Sequence, residues 1–234
     1  ENYYSREANE EYMSVSQYKD FAGTYGKMAC EFTAIEKLNE RWEEPKSKAL
    51  MVGSYVDSYF EGTLDSFKAN NPDLFKRDGG LKAEYVKADE IIERIERDAY
   101  FMKYMSGEKQ VIMTGELFGA KWKIKIDSYI PDVAIVDLKV MSSITRLEWV
   151  RDIGYLDFVR YWGYDIQGAV YQEIVRQNTG KKLPFFIAGA TKETEPDIRI
   201  IHVTDNYLAE ALNMVQMNMP RVLMVKSGET EPDR

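Results

Sequence analysis

Ala120-Lys121-Trp122-Lys123-Ile124-Lys125-Ile126-Asp127, then the Pro131-Asp132 turn, then Ala134-Ile135-Val136-Asp137-Leu138-Lys139-Val140 is the stretch whose reading decides the fold. The first run alternates with period two, so it predicts a strand with Lys121, Lys123, Lys125 and Asp127 on one face and Trp122, Ile124 and Ile126 on the other. In the second run Ala134, Val136, Leu138 and Val140 form a uniformly apolar face that belongs to a core. Asp137 and Lys139 share the opposite face. A short connection joins the two runs as neighbours. If Asp127 and Asp137 meet, two carboxylates and an ammonium converge, and carboxylates that close repel unless a cation joins them.

Working outward, the preceding sequence reads as helical. Segments 14–44, 46–64 and 83–105 carry apolar residues at helical spacing, with Ser14 and Ser16 as candidate N-caps and a break within the first at Gly23 and Gly26. The stretch 65–80 reads as loop, because Asn70-Asn71-Pro72-Asp73 and Asp78-Gly79-Gly80 are turn chemistry. A strand is expected over 110–114, with Gly115 to Gly119 as a turn or short strand. Downstream, 146–153 and 157–178 read as helices, 183–190 and 198–203 as strands, and a last helix runs from a cap at Asp205 to about Lys226. The expectation is an α/β chain: a mixed sheet flanked by helices, one domain over 1–234, with a mainly helical part at 1–105 and a catalytic core at 106–226.

Composition narrows the chemistry. The 234 residues include one cysteine, Cys30, and one histidine, His202. An internal disulfide framework and a zinc site of several Cys and His are excluded by count. A metal here is held mainly by carboxylates and carbonyls, which suits Mg²⁺, Mn²⁺ or Ca²⁺. No apolar run approaches the roughly 18 residues of a membrane span, so no membrane partner is expected, and a reducing cytoplasmic setting fits. The net charge of −8 argues against a protein that simply coats nucleic acid, since phosphate binding favours a basic surface. It argues less against a nuclease, whose cations are local.

Asp127, nine intervening residues and Asp137-Leu138-Lys139 resemble the PD-(D/E)XK nuclease signature, with Ile126 in place of the usual proline. Gln167-Gly168-Ala169-Val170-Tyr171 matches the Gln-x-x-x-Tyr motif of RecB-like and RecE-like members, with both polar residues on one helical face. Gly53 to Asp57 resembles their Gly-x-x-x-His segment, with Asp57 where histidine is common. Together with Ser14-Val15-Ser16-Gln17-Tyr18, these motifs are most similar to the RecE-type, exodeoxyribonuclease VIII-like group carried by phages and prophages. The resemblance implies a restriction-endonuclease-like core and a Mg²⁺-dependent exodeoxyribonuclease. Such an enzyme degrades linear duplex DNA 5′ to 3′ in recombination or repair, and hands single strands to an annealing protein. It further implies Asp127, Asp137, Lys139, Gln167 and Tyr171 as catalytic residues. Asp127, Asp137, the Leu138 carbonyl, Glu116 and Asp57 are the implied metal ligands. Some RecB-like relatives tie an early cysteine into an iron–sulfur cluster, but with Cys30 alone these 234 residues cannot supply four thiolates.

Lys121, Lys123 and Lys125 are candidate DNA-backbone contacts, with Arg146, Arg151, Arg160 and Lys192 as possible additions to the rim. The aromatic group Tyr155, Phe158, Tyr161, Trp162 and Tyr164 suits either base stacking or the packing of a helix on the sheet. His202, in an apolar strand, reads as structural. Ring or channel assembly decides between end-directed and internal cutting, so a homo-oligomer fits an exonuclease. A structure-specific endonuclease, and a non-catalytic recombination partner on a nuclease-like scaffold, stand as alternatives.

Overall fold

The computed structural model describes residues 3–233. Helices α1 (Arg6–Glu11), α2 (Val15–Ala22), α3 (Glu31–Leu38), α4 (Lys48–Phe60), α5 (Leu64–Asn70), α6 (Ala83–Glu96) and α7 (Ala99–Tyr104) precede the sheet. Strands β1 (Glu108–Leu117), β2 (Ala120–Ile130) and β3 (Ala134–Met141) follow, then the small pair β4 (Glu148–Val150) and β5 (Gly154–Leu156). The chain continues through α8 (Phe158–Tyr161), α9 (Tyr164–Thr179), β6 (Phe185–Thr191), β7 (Ile198–Val203) and α10 (Asp205–Lys226). The five-stranded sheet has the order β1-β2-β3-β6-β7, with β3 and β6 parallel and the other neighbours antiparallel. The mixed α/β sheet flanked by helices is therefore as expected.

The alternation read from sequence divides the core. Ala134, Val136 and Leu138 of β3 face α4, α6 and α7 in one cluster with Val52, Tyr55, Val56, Ile91 and Ile95. Ile135 and Met141 join the other cluster, built with α2, α9 and α10. Burying such aliphatic and aromatic side chains supplies about 1.5–3 kcal/mol each, which fixes the register of the strands that carry them. The β1–β2 hairpin turns through Phe118 and Gly119, both at positive φ (51° and 83°), a two-residue turn whose twist matches its strands.

Segment 14–44 breaks at Gly23, as the sequence suggests, into two helices; the Gly23 φ of 75° lies outside the range other residues adopt easily. Several other elements differ from expectation. The stretch 65–80 contains α5 and a 3-10 turn over Pro72–Leu74. Segment 83–105 is also two helices, because Asp98 caps a new one by accepting from the Phe101 amide. Residues 146–153, read as a helix, instead form most of the β4–β5 hairpin, in which Trp149 pairs with Tyr155. Thr204, not Asp205, stands at the N-cap of α10.

Candidate active site

The geometry starts from a strand pair that parts. The β2–β3 ladder joins Ser128–Ile130 to Ala134–Val136 and stops there. The same register puts Asp127 opposite Asp137 at the next rung. Further up, β2 takes another partner: the Met13 amide donates to the Lys121 carbonyl (2.7 Å), and the Lys123 amide to the Met13 carbonyl (2.9 Å). In the resulting gap, the Asp127 Oδ2 accepts from the Leu138 amide at 2.8 Å. On the β1 side Gln110 sits at φ 54° opposite Asp127, and the regular pairing skips that position. Trp122, Ile124, Ile126 and Tyr129 all join one core cluster, so the inward set of β2 changes parity across Asp127.

Asp137 is buried at 2% exposure. Its Oδ1 accepts from Gln167 Nε2 at 2.6 Å, and its Oδ2 lies 2.5 Å from Lys139 Nζ. The Lys139 contact lacks the alignment of a hydrogen bond, so Oδ2 is a buried acceptor with an uncommitted lone pair. Gly168 explains how Gln167 gets so near. A Cβ at position 168 would stand 2.5 Å from Phe185 Cδ1, so only glycine lets α9 lie this close to β6. Tyr171, one turn on, donates its hydroxyl to the Lys125 carbonyl at 3.0 Å and so ties α9 to the divergent part of β2.

The electrostatics match a cluster that is short of cations. Burial, then the neighbouring Asp137 and Asp57, push the Asp127 carboxyl well above the usual carboxylate range. Asp57, near the C-terminal end of α4, is pushed up to about 6, first by burial and then by Asp137 and Glu61 against the pull of Lys139. Burial works against the Lys139 ammonium, but Asp137 and Asp127 outweigh it and hold its pKa above the ordinary lysine value. Tyr164 places its ring 5.4 Å from Lys139 Nζ.

Other expected residues lie elsewhere. Glu116 is exposed and pairs in register with Lys121 near the hairpin tip, six residues along β2 from Asp127. At about 3.3 Å per residue the separation is roughly 20 Å, too far for a shared metal. Lys121 is at the same tip, 2.9 Å from Glu11. Lys123 is buried, with its ammonium donating to the Tyr3 carbonyl (2.6 Å) and the Asn9 side chain (2.8 Å), because the segment leading to α2 covers that face. Of the three lysines only Lys125 stays near the centre, 3.8 Å from Glu61. Arg146 and Arg160 are paired with Glu148 and Glu210, and Lys192 donates to the Ala49 carbonyl. His202 packs its ring on Phe186 at 5.0 Å, a structural contact. Cys30 is a free thiol beside Thr33.

Sequence reasoning did not single out Lys19 or Glu61, and placed Tyr164 only among the aromatic group. Tyr164 had a usable signal: it precedes Gln167 by three residues and Tyr171 by seven, which is one stripe of α9. Lys19 had none, since its place depends on how α2 docks.

Among the described residues no three His, Cys, Asp or Glu side chains stand as a complete ligand group. The donors at the centre are Asp127 and Asp137, with Asp57 coupled to both. Two carboxylates, one with a buried oxygen whose partner is the Lys139 ammonium alone, suit a hard cation that keeps several waters, as Mg²⁺ does, rather than one that needs a full protein cage.

A mixed sheet whose second and third strands part at an Asp pair, with a lysine two residues beyond the second Asp, is the PD-(D/E)XK arrangement. The chain belongs to the family described as PDDEXK-like domain of unknown function (DUF3799), whose model matches residues 14–234. A crystal structure at 2.19 Å from Eubacterium rectale, of a protein named "Putative exonuclease", is 81% identical, with a TM-score of 0.98 over 100% of this chain and 88% of that one. A second solved structure, of SSO0001, aligns over 82% of this chain and 86% of its own at 12% identity and a TM-score of 0.30. No curated protein matches the chain. PD-(D/E)XK nucleases generally use divalent metals. No helix of the described residues is long and apolar enough to cross a membrane.

Proposed function

We propose that this protein is a metal-dependent exodeoxyribonuclease that hydrolyses phosphodiester bonds of linear duplex DNA, in the 5′-to-3′ direction. The observation that carries the reading is the rung of Asp127 and Asp137 at the point where β2 and β3 part, with Lys139 on the second carboxylate. The relative named as an exonuclease supports the end-directed form.

Asp127 and Asp137 would hold Mg²⁺ or Mn²⁺, with Asp57 as a third carboxylate and the Leu138 carbonyl as a further donor. When bound, such an ion acidifies the attacking water and offsets charge on the leaving oxygen. Lys139 serves as a cation rather than a base, since Asp137 and Asp127 keep it protonated. Its role is to pair with a non-bridging phosphate oxygen as charge builds there. Gln167 fixes the Asp137 carboxylate through Oδ1 and leaves Oδ2 facing the reaction. Glu116, Lys121 and Lys123 have no part in this account.

Digestion of end-labelled linear duplex beside covalently closed duplex, each with Mg²⁺, tests it. Stepwise loss of the linear substrate from its 5′ ends, with the circle intact, is the expected result. Cutting of the circle would move the protein to the endonuclease reading.

A further inference from the structure

Lys19 is a cation with no carboxylate in direct contact. It lies on α2, and its Nζ donates to the Trp162 carbonyl at 3.1 Å. Among the described residues no carboxylate lies within ion-pair distance of it, although the chain carries 39 acidic residues. Its neighbour Lys27, much more exposed, does pair, with Asp20 at 2.9 Å. The Lys19 stem is tightly held: a Cβ on Gly163 would stand 3.2 Å from its Cε. Its ammonium lies 5.4 Å from the Tyr164 ring centroid, the same distance from the same ring as Lys139.

Two ammonium groups sharing one ring, in a crowded position, form an unfavourable arrangement unless an anion joins them. Lys139 already has Asp137 at contact distance; Lys19 has a carbonyl, with Asp137 and Asp165 acting on it only from beyond ion-pair distance. Crowding by the protein, and then the charge of Lys139, bring Lys19 down to about 7. An arriving phosphate would restore its full charge.

We propose that Lys19 binds a backbone phosphate of the DNA beside the bond being cut, as the second cation of the centre. This rests on the nuclease reading above. It assigns α2, which carries none of the carboxylates of the centre, a direct hold on substrate.

The test is duplex binding in EDTA and in Ca²⁺ across a salt series, with the wild type, Lys19→Met and Lys19→Arg. Lys19→Met keeps the packing stem and removes the charge. It should bind about tenfold more weakly, and the slope of log affinity against log salt should shrink by about 0.9, the share of one phosphate. Lys19→Arg should keep the wild-type slope. An amine-acylation footprint of the wild type, read by mass spectrometry, avoids any folding defect of the variants: DNA should protect Lys19. An unchanged slope in a folded Lys19→Met protein, or no protection of Lys19 by bound DNA, would overturn the proposal while leaving the nuclease reading intact. Wild type that binds no DNA under either condition would overturn both.

Discussion

Asp127 and Asp137 face each other across the first rung that β2 and β3 do not share, and the Asp127 carboxylate takes the Leu138 amide there. The break in the ladder and the carboxylate pair are thus one feature. Antiparallel register sets the carboxylates opposite, and the detour of β2 toward Met13 opens the space that a phosphate needs.

The clustering of acids has a cost that pH exposes. Asp57 titrates at about 6 in the folded protein, above an ordinary aspartate. A raised carboxyl pKa means the folded state holds its proton longer, so this contribution is complete at low pH and is lost as pH rises through about 6. Metal-free protein should therefore lose on the order of 2 kcal/mol between pH 4 and 7 from this group. Asp57→Asn should flatten the dependence, and Mg²⁺ should flatten it by supplying the missing charge. Thermal melts at several pH values in EDTA and in Mg²⁺ check this; an identical pH profile for Asp57→Asn would contradict it.

The two polar residues of the Gln-x-x-x-Tyr motif should separate by experiment. Gln167 touches Asp137, so Gln167→Ala should lower kcat about 10- to 100-fold with little change in melting. Tyr171 gives its hydroxyl to the Lys125 carbonyl and stands beside the Gln167 side chain rather than on a carboxylate of the centre, so Tyr171→Phe should cost about 1–2 kcal/mol of stability and lower kcat less than Gln167→Ala does. Steady-state rates and denaturation of both variants decide the matter.

Glu116 provides a negative control. It sits near the hairpin tip, so Glu116→Ala should change the cleavage rate by less than about twofold. A loss comparable to that of Asp137→Ala would mean that the tip folds back onto the centre in the working enzyme.

Gly168 should be intolerant of enlargement. Gly168→Ala would set a methyl 2.5 Å from Phe185 Cδ1 and push α9 off the sheet. The expected cost is about 1–3 kcal/mol, with a parallel fall in activity as Gln167 leaves Asp137. Melting temperature and rate should therefore drop together.

Much of the centre was legible in sequence because its signals are local. The period-two runs of β2 and β3 place Asp137 and Lys139 on one face, and four-residue spacing places Gln167 and Tyr171 on one helical stripe. What was not legible depends on distant packing. The burial of Lys123 comes from the chain around Tyr3 and Asn9, more than 100 positions away, so the alternating lysines looked like a solvent face. Glu116, implied as a ligand by the resemblance, lies instead opposite Lys121 near the hairpin tip, because the tight turn at Phe118 and Gly119 leaves six residues of extended strand between that rung and Asp127. The β4–β5 strands are three residues each, too short to show a period, and so passed for helix. Strict alternation also put Asp127 on the lysine face, whereas the irregularity at Gln110 marks a change of parity there.

The most direct test of the central claim is hydrolysis of linear duplex DNA with Mg²⁺ by the wild type, Asp137→Ala and Lys139→Ala, with EDTA as the metal-free control. Cleavage by the wild type alone is expected, with rates at least about 10³-fold lower for both variants and in EDTA. Undiminished cleavage by a folded Asp137→Ala or Lys139→Ala protein, or cleavage that persists in EDTA, would contradict it.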